Sequence, residues 1–72
     1  MEKFRVVFKY DKENSTTIFI ESVNKQSVFD EIISYKEWYT HQDDKGVLRV
    51  INMQRVNEFY IQEYQPAIRT LK

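Results

Sequence analysis

Cysteine is absent from this chain of 72 residues. That removes disulfides, thiolate nucleophiles and every cysteine-based zinc or iron–sulfur site. Glycine occurs once, at Gly46, which excludes phosphate-binding loops, dinucleotide fingerprints and a glycine-flanked nucleophile elbow. Excess charge is missing as well: eleven Lys and Arg stand against eleven Asp and Glu. Each half of the chain is balanced on its own, so neither a basic tail for duplex DNA nor an acidic tail is present. Apolar runs stop at two or three residues, as in Ile18-Phe19-Ile20, far short of the roughly 20 that cross a bilayer. The opening Met1-Glu2-Lys3-Phe4 alternates too early for a signal peptide, and with reduced chemistry throughout the expected setting is cytoplasmic.

What remains is enough to fold. Val, Ile, Leu and Phe make up 21 of the residues, above the level at which chains fail to collapse. Eleven aromatic residues add large buried area, one route to stability for a small core without staples. Val and Ile number 14, against five for Leu, Ala and Met together, which favours sheet over helix. The length allows one domain, expected over residues 1–65 with a frayed tail at 66–72 beyond Gln65.

Local periodicity orders the elements. Phe4, Val6, Phe8 and Tyr10 alternate with Arg5, Val7 and Lys9, the period of a half-buried strand. After the polar stretch Asp11 to Ser15, Ile18 and Ile20 alternate with Thr17, Phe19 and Glu21, predicting a hairpin. From Asn24 the period changes: Val28, Phe29, Ile32, Ile33 and Tyr35 form a helical stripe. Asn24 or Ser27 can cap it, with Asp30 three residues after Ser27, and Asp30, Glu31 and Lys36 are placed to complement the dipole. The helix should end between Tyr35 and Tyr39, with Trp38 closing the end of the core. His41 to Gly46 reads as a loop, Val47 to Ile51 as a third strand, and Asn52 to Gln54 as a turn or bulge. Val56 to Tyr64 fits two periods. As a strand it aligns Asn57, Phe59, Ile61 and Glu63; as a helix it aligns Val56, Phe59, Tyr60 and Tyr64; Phe-Tyr-Ile favours the strand. The expected fold is α+β, in the order ββαββ, with one antiparallel four-stranded sheet and a single helix packed on one face.

Catalytic constellations are lacking. His41 with Asp43 and Asp44 falls short of the fixed ligand set of a zinc site, and the loop lacks the length and terminal Glu of a calcium-binding hand. The expectation is therefore a protein that is not an enzyme, with no cofactor, no metal and no small-molecule ligand. The sheet face away from the helix is the more informative surface. It should carry Arg5, Val7 and Lys9, then Thr17, Phe19 and Glu21, and also Val47, Arg49 and Ile51 if Leu48 and Val50 face the helix. An apolar patch of Val7, Phe19 and Ile51 rimmed by Arg5, Lys9 and Arg49 would mark an interaction site. Against this, the residues could be scattered, or covered by the segment from Tyr64 to Leu71. The reading is a non-catalytic module that binds a protein partner or itself through this face or an edge strand. The alternative is a weak single-stranded nucleic-acid binder using Arg5, Lys9, Phe19 and Arg49. Richness in Lys, Ile, Asn and Gln with little Ala and Gly has the flavour of an AT-rich genome, as in accessory proteins of phages and mobile elements.

Overall fold

The structure, a computed structural model, describes residues 1–64. The tail expected from residue 66 lies outside them. The first two strands form as the alternation dictates: β1 spans Glu2–Lys9 and β2 spans Ser15–Ser22, antiparallel, with Phe4 opposite Ile20 and Val6 opposite Ile18. Asp11 shapes their connection. Its carboxylate accepts from the backbone N–H of Glu13 at 2.8 Å and of Asn14 at 2.9 Å, and from the Asn14 amide. These bonds hold its pKa below the ordinary 3.8, with the Asn14 side chain the largest cause.

Helix α1 covers Lys25–Ile33 and is capped by Asn24, whose side-chain oxygen accepts from the Ser27 backbone N–H at 2.8 Å. The helix is shorter than the periodicity implies. Ser34 closes it, so Lys36 lies beyond its last turn and Tyr35 beyond its end. Asp30 lies past the first turn, where it accepts from Gln26 at 3.0 Å instead of serving the dipole. Val28 and Ile32 are buried, whereas Phe29 and Ile33 stay partly exposed.

The second half departs from the expected single sheet. Trp38–Gln42 forms β3, a strand in place of the helix tail and loop expected there, and it pairs with β4, Leu48–Asn52. Met53–Arg55 is a 3-10 turn, with the Asn52 side chain accepting from the Gln54 N–H at 3.0 Å. Glu58–Glu63 forms β5, the strand alternative for this segment, and adds to the free side of β1. Among the described residues the result is α+β with five strands in two antiparallel sheets. One has the order β2-β1-β5 and the other is the β3–β4 ribbon.

The split has a local cause. Asp43 and Val47 pair across a three-residue loop: the Asp43 N–H donates to the Val47 carbonyl, and the Gly46 N–H to the Asp43 carbonyl, each at 3.0 Å. Gly46 adopts φ 87°, the left-handed position that such a loop needs. The Asp43 carboxylate accepts from the N–H groups of Lys45 and Val47, both at 2.9 Å, and the Val47 bond leads in holding its pKa below 3.8. A turn this tight pairs β4 with β3 and leaves the edge of β1 to β5.

Both helix and ribbon cover the same side of the three-stranded sheet. Phe4, Val6, Phe8, Ile18 and Ile20 from the sheet meet Val28 and Ile32 from the helix, and Tyr39 and Ile51 from the ribbon. Phe8 is the junction, with ring centroids 5.9 Å from Tyr39 and 5.7 Å from Phe59. Tyr39 and Ile51 sit directly opposite each other, so one cross-strand pair carries the ribbon's burial. Complete burial of such side chains contributes roughly 1.5–3 kcal/mol each.

Candidate functional site

The expected contact residues do not share one surface. Arg5, Val7, Lys9 and Phe19 do lie on the outer face of the three-stranded sheet, since Phe4, Val6, Phe8, Ile18 and Ile20 point inward. Val7, however, is only 4% exposed. It lies in the central strand with Thr17 on one side and Tyr60 on the other. Ile51 is only 2% exposed and belongs to the core, and Leu48 and Val50, expected inside, point to solvent. A strand shifted by one residue turns every side chain to the opposite face, and β4 follows that inverted phase because Ile51 pairs with Tyr39. Arg49 stands opposite His41 in the ribbon, away from the sheet face where it was expected. His41 is thus a strand residue, not a loop residue.

The outer sheet face is a mixed, charged surface. Arg5 is flanked by Phe19 and Gln62, Lys3 by Glu21, and Lys9 by Ser15 and Glu58. Phe19 is 43% exposed, and its ring packs against Tyr64 at 4.9 Å, so the two aromatics meet across β1. Opposite charges interleave along these strands, and the apolar area is limited to this pair and Tyr60.

The ribbon presents a different surface. Cross-strand pairing puts Trp38 with Asn52, Thr40 with Val50, and Gln42 with Leu48, all on the side away from Tyr39 and Ile51. Trp38 is 53% exposed, Leu48 58% and Val50 54%, and none of the six residues carries a charge. Trp38, expected to close the core, is therefore an exposed surface residue, and its neighbour Tyr39 takes the buried place. The alternation of β3 decides between them: one of two adjacent aromatics must face outward. Burial, with smaller contributions from Glu31 and Tyr35, pushes the Tyr39 phenol well above its ordinary value of 10. Tyr35 closes over it edge-on, the ring centroids 4.9 Å apart.

A third feature borders β5. Phe29, Met53, Val56, Asn57, Glu58, Phe59, Tyr60 and Ile61 line a groove of about 490 Å³. Among the described residues, no group of three or more His, Cys, Asp or Glu is gathered to hold a metal ion. No described helix is long and apolar enough to cross a membrane. No family model matches the chain, and no curated protein and no solved structure matches it significantly.

Proposed function

We propose that this protein is a small non-catalytic binding module whose contact surface is the outward face of the β3–β4 ribbon, and that the occupant of this face is a second copy of the chain. The observation that carries the reading is the uncharged set Trp38, Thr40, Gln42, Leu48, Val50 and Asn52, with its three large apolar members half exposed or more. Charge depletion around an exposed aromatic is the composition of an interface centre. A face without charge can also meet its own copy about a two-fold axis without opposing like charges, and ribbon-on-ribbon stacking would bury Trp38 in both chains. Sizing by light scattering across a concentration series tests this. The wild-type chain should pass from monomer to dimer, and Val50→Lys should remain monomeric with an unchanged circular dichroism spectrum. A wild-type chain that stays monomeric at millimolar concentration contradicts the reading.

Single-stranded nucleic-acid binding at the outer sheet face is the second reading, supported by Arg5 directly opposite the half-exposed Phe19. Glu21 and Glu58 on the same face oppose phosphate, which makes it the weaker of the two. Its signature is oligonucleotide binding that falls steeply with added salt and with Arg5→Glu.

A further inference from the structure

The edge of β5 and the groove beside it form a second surface, separate from the ribbon face. The ladder fixes which backbone groups are free there. The Tyr64 N–H donates to the Lys3 carbonyl at 2.9 Å, and these residues lie opposite each other in the β1–β5 register. The Tyr10 N–H donates to the Asn14 carbonyl at 2.9 Å, in register with the β1–β2 pairing. Hydrogen bonding alternates along antiparallel strands, so odd residues of β1 bond to β5 and even residues to β2. Glu58, Tyr60 and Gln62 therefore turn their backbone groups to β1, while Phe59, Ile61 and Glu63 turn theirs to the open edge. Among the described residues β5 ends its sheet, and no described strand takes up those groups.

The groove lies on that same side, because none of its lining residues belongs to β1. Phe29 of α1 forms one wall, with its ring 6.3 Å from that of Phe59 in a stacked arrangement. Met53 and Val56 add apolar lining. Residues on the inner face of an added strand would thus enter an apolar slot between α1 and β5, while its backbone pairs with Phe59, Ile61 and Glu63. This is the arrangement by which an edge strand beside a helix takes up an extended peptide.

Charge selects the occupant. β5 begins with Glu58 and ends with Glu63. A second copy pairing antiparallel at this edge would bring two further glutamates and no Lys or Arg to meet Glu58 or Glu63. A peptide with basic residues at those two positions is attracted instead. We infer that β5 binds an extended peptide of another protein by strand addition, with apolar side chains at two alternate positions opposite Phe59 and Ile61 and Lys or Arg opposite Glu58 and Glu63. Lys9 of β1 stands opposite Glu58, whereas Glu63 lies opposite the apolar Phe4.

The test uses the full chain and a fluorescein-labelled peptide, Lys-Thr-Val-Thr-Val-Lys, followed by anisotropy. The expected result is saturable binding with a Kd below about 1 mM. Binding should weaken about tenfold with Glu58→Lys, and by at least about tenfold when the two valines become serine. A peptide with proline in place of the first valine, whose N–H would donate to the Ile61 carbonyl, should not bind, since proline lacks that donor. Val50→Lys, which alters only the ribbon face, should bind the parent peptide as the wild type does. Absence of binding to the parent peptide up to millimolar concentration overturns the inference. So does equal binding of the proline peptide, and so does loss of binding in Val50→Lys, which would place the peptide on the ribbon.

Discussion

The ring of Tyr39 lies 5.9 Å from that of Phe8, and this contact ties the β3–β4 ribbon to the three-stranded sheet. Among the described residues the two sheets share no hydrogen-bonded ladder, so side-chain packing is the main contact between them. Tyr39→Ala should therefore cost about 3–5 kcal/mol, as for other large aromatics truncated in a core. A domain of this length has about 4–11 kcal/mol in total, so the variant should lose a large share of its stability. Trp38→Ala, one position away and exposed, should change stability by less than about 0.5 kcal/mol. Urea titrations followed by far-ultraviolet circular dichroism, at a concentration where the chain is monomeric, check both values. Similar losses for the two variants would contradict the assignment of faces in β3.

The turn at Gly46 sets the register of the ribbon. Only the Gln42 amide nitrogen comes within 4.0 Å of a Cβ added there, so space is not the obstacle. Backbone conformation is, because φ 87° is unfavourable for any side chain. Gly46→Ala should cost about 1–2 kcal/mol, and Gly46→Asn less, since asparagine tolerates this region better. Thermal melts of the three proteins give the order directly.

Helix α1 depends on one cap. Asn24→Ala removes the acceptor for the Ser27 N–H and should cost about 1 kcal/mol. Asn24→Asp or Asn24→Ser should retain most of that stability. A loss confined to Ala in chemical denaturation would support the cap as the cause.

Asp11 and Asp43 make the protein sensitive to acid. Both have folded-state pKa values below 3.8, so the folded state favours the carboxylate more than the unfolded state does. Their contribution is complete above the ordinary value and is lost as pH falls below about 3.8 through the lower folded values. Denaturant midpoints should therefore drop between pH 5 and pH 2 in the wild type, on the order expected for exposed turn carboxylates. Asp11→Asn and Asp43→Asn should be less stable than the wild type at pH 6 and should flatten this drop. The opposite limit belongs to Tyr39. Its raised pKa means that the folded state resists ionisation, so stability falls as pH rises above 10.

Much of the first half was legible because its signals are local and agree. Phe4, Val6 and Phe8 against Ile18 and Ile20 have clean alternation, a polar loop of the right length, and a capping asparagine after them. The second half was harder for a physical reason. Trp38-Tyr39 offers two adjacent aromatics, and nothing in composition says which one faces in. The segment was too short to show a period, so β3 escaped notice, and with it the pairing that fixes the phase of β4. The clue was the loop itself. Asp44 to Gly46 is a three-residue hairpin loop, which requires a strand before it as well as after it. Reading that requirement would have put β3 opposite β4, and pairing Tyr39 with Ile51 would have turned Leu48 and Val50 outward. The outer sheet face was anticipated in its residues Arg5, Lys9 and Phe19, and cover by the segment from Tyr64 onward stood as an alternative, of which the Tyr64 contact with Phe19 is the described part. No local pattern shows that contact, which joins residues 45 positions apart in the chain.

Trp38 is the only tryptophan, and it stands on the face proposed to receive the second copy. Its fluorescence therefore reports on the central claim without any label. Emission recorded from dilute to concentrated solution should move from the long wavelength of a solvated indole to a shorter one, in step with the rise in mass by light scattering. Val50→Lys should hold the long-wavelength emission throughout. Emission that stays at the solvated value while the mass doubles would place the contact elsewhere, and emission and mass that both stay constant would contradict self-association altogether.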